Sequence, residues 1–571
     1  MKPLAILLGA ALLIVGATPH PASAVWPGDP TVSVPLCTEG SNQQSVASVS
    51  DGAGGAIVAW GDSRNGASDI YAQRISITGE VLWTANGVPV AVAVNSQDTP
   101  MLVSDGAGGA IVVWSDTRDN TYEANIYAQR LTPEGAPLWT VNGVRLVPSV
   151  WAQQQPTVAA DGAGGAFVAW SDQRGGTCTS CTFWEIVGQH IEADGSLVWG
   201  GYGLPICNAP SGQYVPSICP DDSGGAIVAW DDGRNASADI YAQRITDSGA
   251  VLWAANGVPV CSHLISQHVP VVAPDDSGGA IVAWEDYSGY GGATLLYAQR
   301  ITRSGSLRWP ARGVPLTSSD RRQTAARIVK DGASGAIVAW RDQRAGNADI
   351  YAQRVDSAGA IRWGAGGLGL CTNTGDQQDV SIARDDEGGA IFTWFDWRVG
   401  NYDIYAQRVS AAGAALWPAD GLAVCAQGAT QQGAVVVPGG GSGAVVAWRD
   451  HRNGNTDIFA QRIDEHGDLD GVVPLDVPGE AAVAFALGPV RPNPSRGGAL
   501  TVHFALAGPE AASLELLDIA GRRIVAREVG SLGAGRHALD LGAGRHLAPG
   551  IYLVRLCQGA GVRVTRAAVL E

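Results

Sequence analysis

Asp51-Gly52-Ala53-Gly54-Gly55-Ala56-Ile57-Val58-Ala59-Trp60 decides the fold, because the chain repeats it. The apolar run closing on Trp60 is too short for a helix of ordinary length and is bounded by glycines, so it reads as a strand. The same closing residue returns at Trp114, Trp170, Trp230, Trp284, Trp340, Trp394 and Trp448, at intervals of 54 to 60 residues. A second register, Gly-x-x-x-Trp, ends on Trp83, Trp139, Trp199, Trp253, Trp309, Trp363 and Trp417, with Trp26 as an eighth member ahead of the first unit. Sixteen of nineteen tryptophans thus mark eight units, and a period of this length points to a propeller or solenoid.

Within the first unit, 44–50, 56–60, 70–75 and 81–90 read as strands a to d, the last interrupted at Asn86-Gly87. The glycines of 51–55 and the Thr78-Gly79 pair supply the positive-φ positions of tight turns. Four strands in each of eight units predict an all-β chain built mainly as an eight-bladed β-propeller over 25–473. Cys37 stands 23 residues ahead of Trp60, the spacing that separates Cys207 from Trp230, Cys261 from Trp284, Cys371 from Trp394 and Cys425 from Trp448. The segment 34–37 is therefore a strand d without a preceding blade, while the eighth unit loses its Trp-bearing strand at Asp468-Leu469-Asp470. We expect the N-terminal strand to complete the last blade and remove two open edges. Three extra residues between Trp26 and Cys37 lead us to expect that Trp26 docks differently from its counterparts.

Met1-Lys2, an apolar run over 4–15 and Pro21-Ala22-Ser23-Ala24 predict a secretory signal peptide over 1–24, and hence a secreted or surface-displayed bacterial protein. Nothing later approaches the roughly 20 apolar residues of a bilayer span. A net charge of −17 without a basic footprint argues against nucleic acid as a partner. Five of the nine cysteines (Cys37, Cys207, Cys261, Cys371, Cys425) share one position in different blades, too far apart to bridge. Cys207 with Cys219 is a possible bridge across a d to a connection. Cys178 and Cys181 form a CxxC on an inserted loop, read as a local disulfide or as half of a zinc site; no second Cys/His pair at ligand spacing accompanies it, and no metal or cofactor is expected.

Polar residues repeat with the blades. An Asp follows each strand-b Trp by two residues, an Arg follows that Asp by two in seven units, and six b to c loops end on an acid. The sets closed by an Asp are Asp62, Arg64 and Asp69; Asp232, Arg234 and Asp239; Asp342, Arg344 and Asp349; Asp396, Arg398 and Asp403; Asp450, Arg452 and Asp457, and Glu185 closes the set of Asp172 and Arg174. Such a ring of carboxylates could serve a cation or substrate, since hard cations take several oxygens, but a feature that repeats with the fold reads as a loop brace. Blade five lacks both the Arg (Ser288) and the closing acid (Leu295), which suggests that those two groups pair across the loop; Arg118 opposite Asn125 in blade two speaks against it. Gln73 and Arg74 recur with their equivalents, His190 standing for Arg in blade three, and are expected to serve the same bracing.

Asymmetry is where binding is expected, because loops on a rigid scaffold carry it. The b to c loops of blades three and five depart most from the pattern, and Trp184, Tyr287, Tyr290 and Trp397 are the candidate contacts; Tyr122 and Trp151 are further unrepeated aromatics. Exposed rings there could stack on a sugar or a peptide.

The segment Tyr71-Ala72-Gln73-Arg74-Ile75-Ser76-Ile77-Thr78-Gly79-Glu80-Val81-Leu82-Trp83 resembles the tryptophan-docking repeats of eight-bladed quinoprotein-like propellers, with one extra residue between Ala72 and Gly79. The glycine-rich stretch ending at Trp60 also resembles the Asp-boxes of sialidase-type propellers, with the Trp late; neither family's catalytic set maps onto this chain. After a linker over 474–486, residues 487–571 carry Arg491-Pro492-Asn493-Pro494, then Asp518-Ile519-Ala520-Gly521-Arg522, then Pro549-Gly550-Ile551-Tyr552. This order resembles type IX (Por) secretion sorting domains and the related flagellar-hook-capping-type immunoglobulin-like domains. The resemblance implies a small immunoglobulin-like β-sandwich that engages secretion or surface-attachment machinery. No nucleophile, base and orienting group stand out together, so the expected function is a non-catalytic exported scaffold binding a carbohydrate, peptide or protein. A quinone-dependent dehydrogenase, a glycoside hydrolase and a structural spacer are the alternatives.

Overall fold

A computed structural model describes residues 26–570 apart from 120–122, 149–150, 176–182, 290, 292, 320, 470–485, 492–494, 497–499, 507, 509, 531–534, 543–546 and 560. The expected signal peptide, most of the expected linker, the CxxC cysteines, Tyr122, Tyr290 and the Pro-Asn-Pro motif lie outside the described residues. The chain forms two compact units, 1–473 and 474–571, and every named element among the described residues is a β-strand.

The first unit contains eight four-stranded antiparallel sheets. In blade one, Gln43–Ser50, Ala56–Asn65, Ala67–Ile75 and Val88–Ala91 pair in chain order as strands a to d. Strand d is shorter than expected: only Val88–Ala91 joins the ladder, and the Trp83 segment touches strand c through a single Ile75–Val81 bridge. Strands a of successive blades are neighbours right around the ring, including Gln431–Pro438 of blade eight against Gln43–Ser50 of blade one. Closure is by the N-terminal strand: Val34–Cys37 pairs antiparallel with Asp457–Ile463 and completes the eighth sheet.

Strand b explains why each blade must have a neighbour on both faces. Val58 and Trp60 pack with Val445 and Ala447 of blade eight, while Ile57 and Ala59 pack with Val112 and Trp114 of blade two. A strand buried on both faces reads as a continuous apolar run, which is what the repeat shows.

The Gly-x-x-x-Trp residues dock blade to blade. Trp83 Nε1 donates to the carbonyl of Pro133 at 2.9 Å and its ring lies against Gly135, whose φ of +85° and lack of a side chain admit the close approach. Trp26 docks in the same way, contrary to expectation: it is 2 % exposed, donates to the carbonyl of Ile77 at 2.8 Å and covers Gly79. The three extra residues fall between it and strand Val34–Cys37, where a bend around Asp29 absorbs them through bonds from Thr31 and Val32.

In the second unit a three-stranded sheet containing Thr501–Leu506 and a five-stranded sheet containing Ala512–Asp518 and Gly550–Gln558 enclose one core of Val502, Phe504, Leu514, Leu516, Val554 and Leu556. It is a small β-sandwich. No helix among the described residues is long and apolar enough to cross a membrane.

Candidate functional site

The repeated Asp and Arg sit where b to c loops meet the neighbouring blade. Arg64 Nη2 donates to Asp62 Oδ2 at 2.6 Å and its Nε to Oδ1 at 2.9 Å, while Trp60 Nε1 donates to Oδ2 at 2.8 Å. The guanidinium covers the Tyr71 ring, donates to the carbonyl of Asn86 and lies 3.3 Å from Cys37 Sγ, which belongs to blade eight. Asp232–Arg234, Asp342–Arg344, Asp396–Arg398 and Asp450–Arg452 make the same 2.6 Å contact.

Pairing of the arginine with the closing acid is therefore corrected. The backbone amide of each arginine donates to the same Asp, at 3.0 Å from Arg64 N to Asp62 Oδ1, so the turn brings the guanidinium back to the nearer carboxylate, already fixed by the indole. The closing acids serve other donors: Asp69 accepts from Asn65, Asp239 from Asn235, Asp349 from Asn347, Asp403 from Asn401, and Asp457 from Asn453 and Asn455. Burial pushes Asp349 and Asp403 up to about 6. Blade two now fits, since Arg118 pairs with Asp116 at 2.6 Å and needs nothing from Asn125. In blade five Arg312, from the turn before strand d, reaches Asp286 at 3.2 Å in place of the missing arginine.

Gln73 and Arg74 have different tasks from Arg64. Gln73 Nε2 donates to the carbonyl of Thr84 at 2.8 Å and its Oε1 accepts from Trp83 N, holding the docking tryptophan. Arg74 pairs with Asp51 at 2.9 Å at the other end of the blade. The cysteines at the shared blade position are free thiols, as are Cys207 and Cys219, so the bridge considered for that pair is not formed. Cys207 packs between blades three and four and Cys219 between blades four and five, which separates them by the thickness of a sheet.

One position beside the constant brace carries six residue types in eight blades, and sequence reading passed over it. The residue directly after the strand-b Trp is Gly61, Ser115, Ser171, Asp231, Glu285, Arg341, Phe395 or Arg449. Opposite it on strand a stand Gln44, Asp98, Gln154, Tyr214, His268, Thr324, Gln378 and Gln432. Because strands a line the central axis, these pairs ring one mouth of the channel, at the end where the b to c and d to a connections lie. The signal was available: aligning the repeats by Trp60 and its equivalents exposes a variable column on each side of an invariant Asp.

Blades three to five concentrate the chemistry. His268 Nδ1 lies 3.1 Å from Asp231 Oδ2, and Asp231 Oδ1 accepts from Val269 N at 2.9 Å. Glu285, opposite His268 in the strand register, accepts from Ala325 N of blade six at 2.9 Å. Val269 and Ala325 have φ of +53° and +58°, at bulges that recur in strand a; an αL valine is strained, and each carboxylate caps the bulge of the next blade. Burial raises both acids above the ordinary carboxylate range, and the Asp231 hydrogen bond raises His268.

Aromatic rings flank this group. Trp184 is half-buried with its ring 6.5 Å from that of Tyr214, which faces Asp231 in the register, and exposed Tyr287 stands edge-on to His268 at 5.2 Å. Leu264 and Ile265 are exposed on the adjoining d to a connection. Trp397 is brought elsewhere, into an aromatic group of blade seven with Phe395 and Tyr402, where Gln378 donates to the Tyr402 hydroxyl. Arg341 and Arg449 stand on either side of that group. Among the described residues no three His, Cys, Asp or Glu side chains are placed to hold a metal ion. A recess of about 480 Å³ lined by Asp161, His190 and Asp247 lies by the Asp51-type turns, where His190 is shorter than the arginine of other blades; both its ring nitrogens are engaged, at 3.0 Å, by Asp161 and the carbonyl of Asp247.

No family model matches the chain, and no curated protein matches it. Among solved structures it is similar to a puromycin-hydrolysing peptidase of Mycobacterium tuberculosis (12 % identity, 86 % of this chain and 62 % of that one, TM-score 0.36). It is also similar to an α-L-arabinanase of Penicillium chrysogenum complexed with arabinobiose (12 %, 79 % and 100 %, 0.34) and to a protein of unknown function from Dyadobacter fermentans (12 %, 55 % and 95 %, 0.33). These scores are low, and the propeller stands on the chain's own strand pairing.

Proposed function

We propose that the chain is an exported, non-catalytic scaffold that binds a carbohydrate at the channel mouth of blades three to five. The observation that carries this reading is the cluster of unrepeated residues beside the constant Asp in blades four and five: Asp231, Glu285 and His268, with Tyr214 and Tyr287 next to them. Carboxylates that accept and an imidazole that can accept or donate, with Trp184, Tyr214 and Tyr287 beside them, suit a ligand with many hydroxyls and apolar ring faces. Residues 1–24 direct export and 487–571 act as a sorting or attachment module with an immunoglobulin-like fold. A glycan-array screen of the mature full-length chain, repeated with Trp184→Ala, Tyr287→Ala and His268→Ala, tests the site. Affinity lost at least tenfold in two of the three supports it; binding unchanged in all three, or no glycan bound, overturns it.

The alternative of a glycoside hydrolase is favoured by one observation, the two buried carboxylates Asp231 and Glu285 with raised pKa values around one imidazole. Such a pair can divide acid and base roles. Turnover of any substrate in a glycoside panel, abolished by Glu285→Gln, would replace the scaffold reading.

A further inference from the structure

Opposite the channel mouth, six blades fill one position with an Asp–Arg ion pair and blade three fills it with an Asp–His contact. Asp51, Asp105, Asp161, Asp221, Asp275, Asp331 and Asp385 each open the turn between strands a and b, and each meets Arg74, Arg130, His190, Arg244, Arg300, Arg354 or Arg408 at 2.7 to 3.0 Å. Asp51 shows how the carboxylate is used: one oxygen accepts from the turn amides of Ala53 and Gly55, the other from the guanidinium. The Arg74 Nη1 then donates to the carbonyl of Pro133, a link repeated by the other five arginines.

Blade eight keeps the arginine, Arg462, and lacks the acid. Its turn reads Gly439-Gly440-Gly441-Ser442-Gly443, with Gly439 in the place of Asp51, so the turn offers no carboxylate at that position. Arg462 is 5 % exposed, and its Nε and Nη1 are buried with no hydrogen-bond partner. Asp464 and Glu465 are near enough to act on its charge, but Asp464 Oδ1 accepts from His466 N and Asp468 N, and neither carboxylate bonds to the guanidinium. A buried guanidinium with no carboxylate bonded to it is among the costlier arrangements a core can hold, and each of the six other arginines at this position has one.

We infer that Arg462 forms a binding site for a small carboxylate, which takes the place the seven aspartates hold in their own blades. Two oxygens on one carbon reproduce the aspartate head group, and the burial of Arg462 excludes bulky acids. Occupation would complete the closing blade beside the strand pair Val34–Cys37 and Asp457–Ile463.

Formate is the probe, with gluconate as a carboxylate too large to enter. The melting temperature of the full chain is followed while sodium gluconate is exchanged for sodium formate at constant ionic strength. The wild type is expected to melt at rising temperature with the logarithm of formate concentration, because a ligand bound only by the folded state stabilises by mass action. Arg462→Met, which removes charge and keeps bulk, is expected to give a flat line; Arg462→Gln serves if that variant does not fold. A flat wild-type line, or equal slopes in wild type and variant, overturns the proposal.

Discussion

Arg312 Nη2 lies 3.2 Å from Asp286 Oδ1 and also bonds to the Ser288 hydroxyl, so the fifth blade recovers from another loop the guanidinium it lost at position 288. The substitute is imperfect. Trp284 Nε1 and Asp286 Oδ2 are buried without partners, whereas Trp60 and its Asp62 are satisfied. Arg312→Ala should lower stability by about 2 kcal/mol, the cost of leaving a buried charged acceptor unpaired. Adding Ser288→Arg to that variant should restore most of the loss, read as the shift in denaturation midpoint; no recovery would show that the two arginines are not equivalent.

Trp26 and Gly79 close the ring as Trp83 and Gly135 do between blades one and two. Trp26→Ala should cost about 3–5 kcal/mol, as for other large-to-small changes at buried aromatics. Deleting 26–37 should expose the edge of Asp457–Ile463 and produce oligomers on size-exclusion chromatography. A monomeric deletion variant of unchanged melting temperature would contradict this account of closure.

Asp349 and Asp403, held at about 6, bind protons in the folded chain that they have lost in the unfolded one, where the ordinary value is near 3.8. For an acid raised on folding the sign is plain: its contribution favours the fold below about pH 4 and is lost progressively as pH rises to about 6 and beyond. Melting temperatures of wild type, Asp349→Asn and Asp403→Asn between pH 4 and 7.5 check this. The variants should fare better relative to wild type at pH 7.5 than at pH 4, and the reverse order would refute it.

Burial pushes the thiols of Cys37, Cys207, Cys261, Cys371 and Cys425 up to about 12. The thiolate is the nucleophile, so none of the five should be alkylated in the folded chain at pH 8, and all five should be in denaturant. Mass spectrometry of peptides after iodoacetamide treatment reads the outcome directly. Labelling of Cys207 in the native state would mean that blades three and four separate.

His268 owes its raised value first to the Asp231 hydrogen bond, so its contribution to stability is present below about 6.5 and fades as pH rises through its higher folded value. Asp231→Asn should therefore lower the imidazole pKa, measured by NMR titration of the ring protons. An unchanged value would separate the two groups.

Blade number, strand identity and closure by 34–37 were legible in the chain, because a repeated unit aligns itself and a strand buried on both faces must be apolar throughout. The Trp26 docking was misread, because the three-residue excess lies in a bend and leaves the contact intact. The mouth residues were half visible: the variable column beside Asp62 and its equivalents could be read from the repeats, but nothing in linear order joins Asp231 to His268, which are 37 residues apart and belong to different blades. Only ring closure sets strand b of one blade against strand a of the next, and that neighbourhood decides which carboxylate caps which bulge. The same holds for Arg64, whose partner was misassigned because sequence spacing does not rank Asp62 against Asp69, which face each other in the register, whereas the turn at Asp62 folds Arg64 back onto it and leaves Asp69 to Asn65.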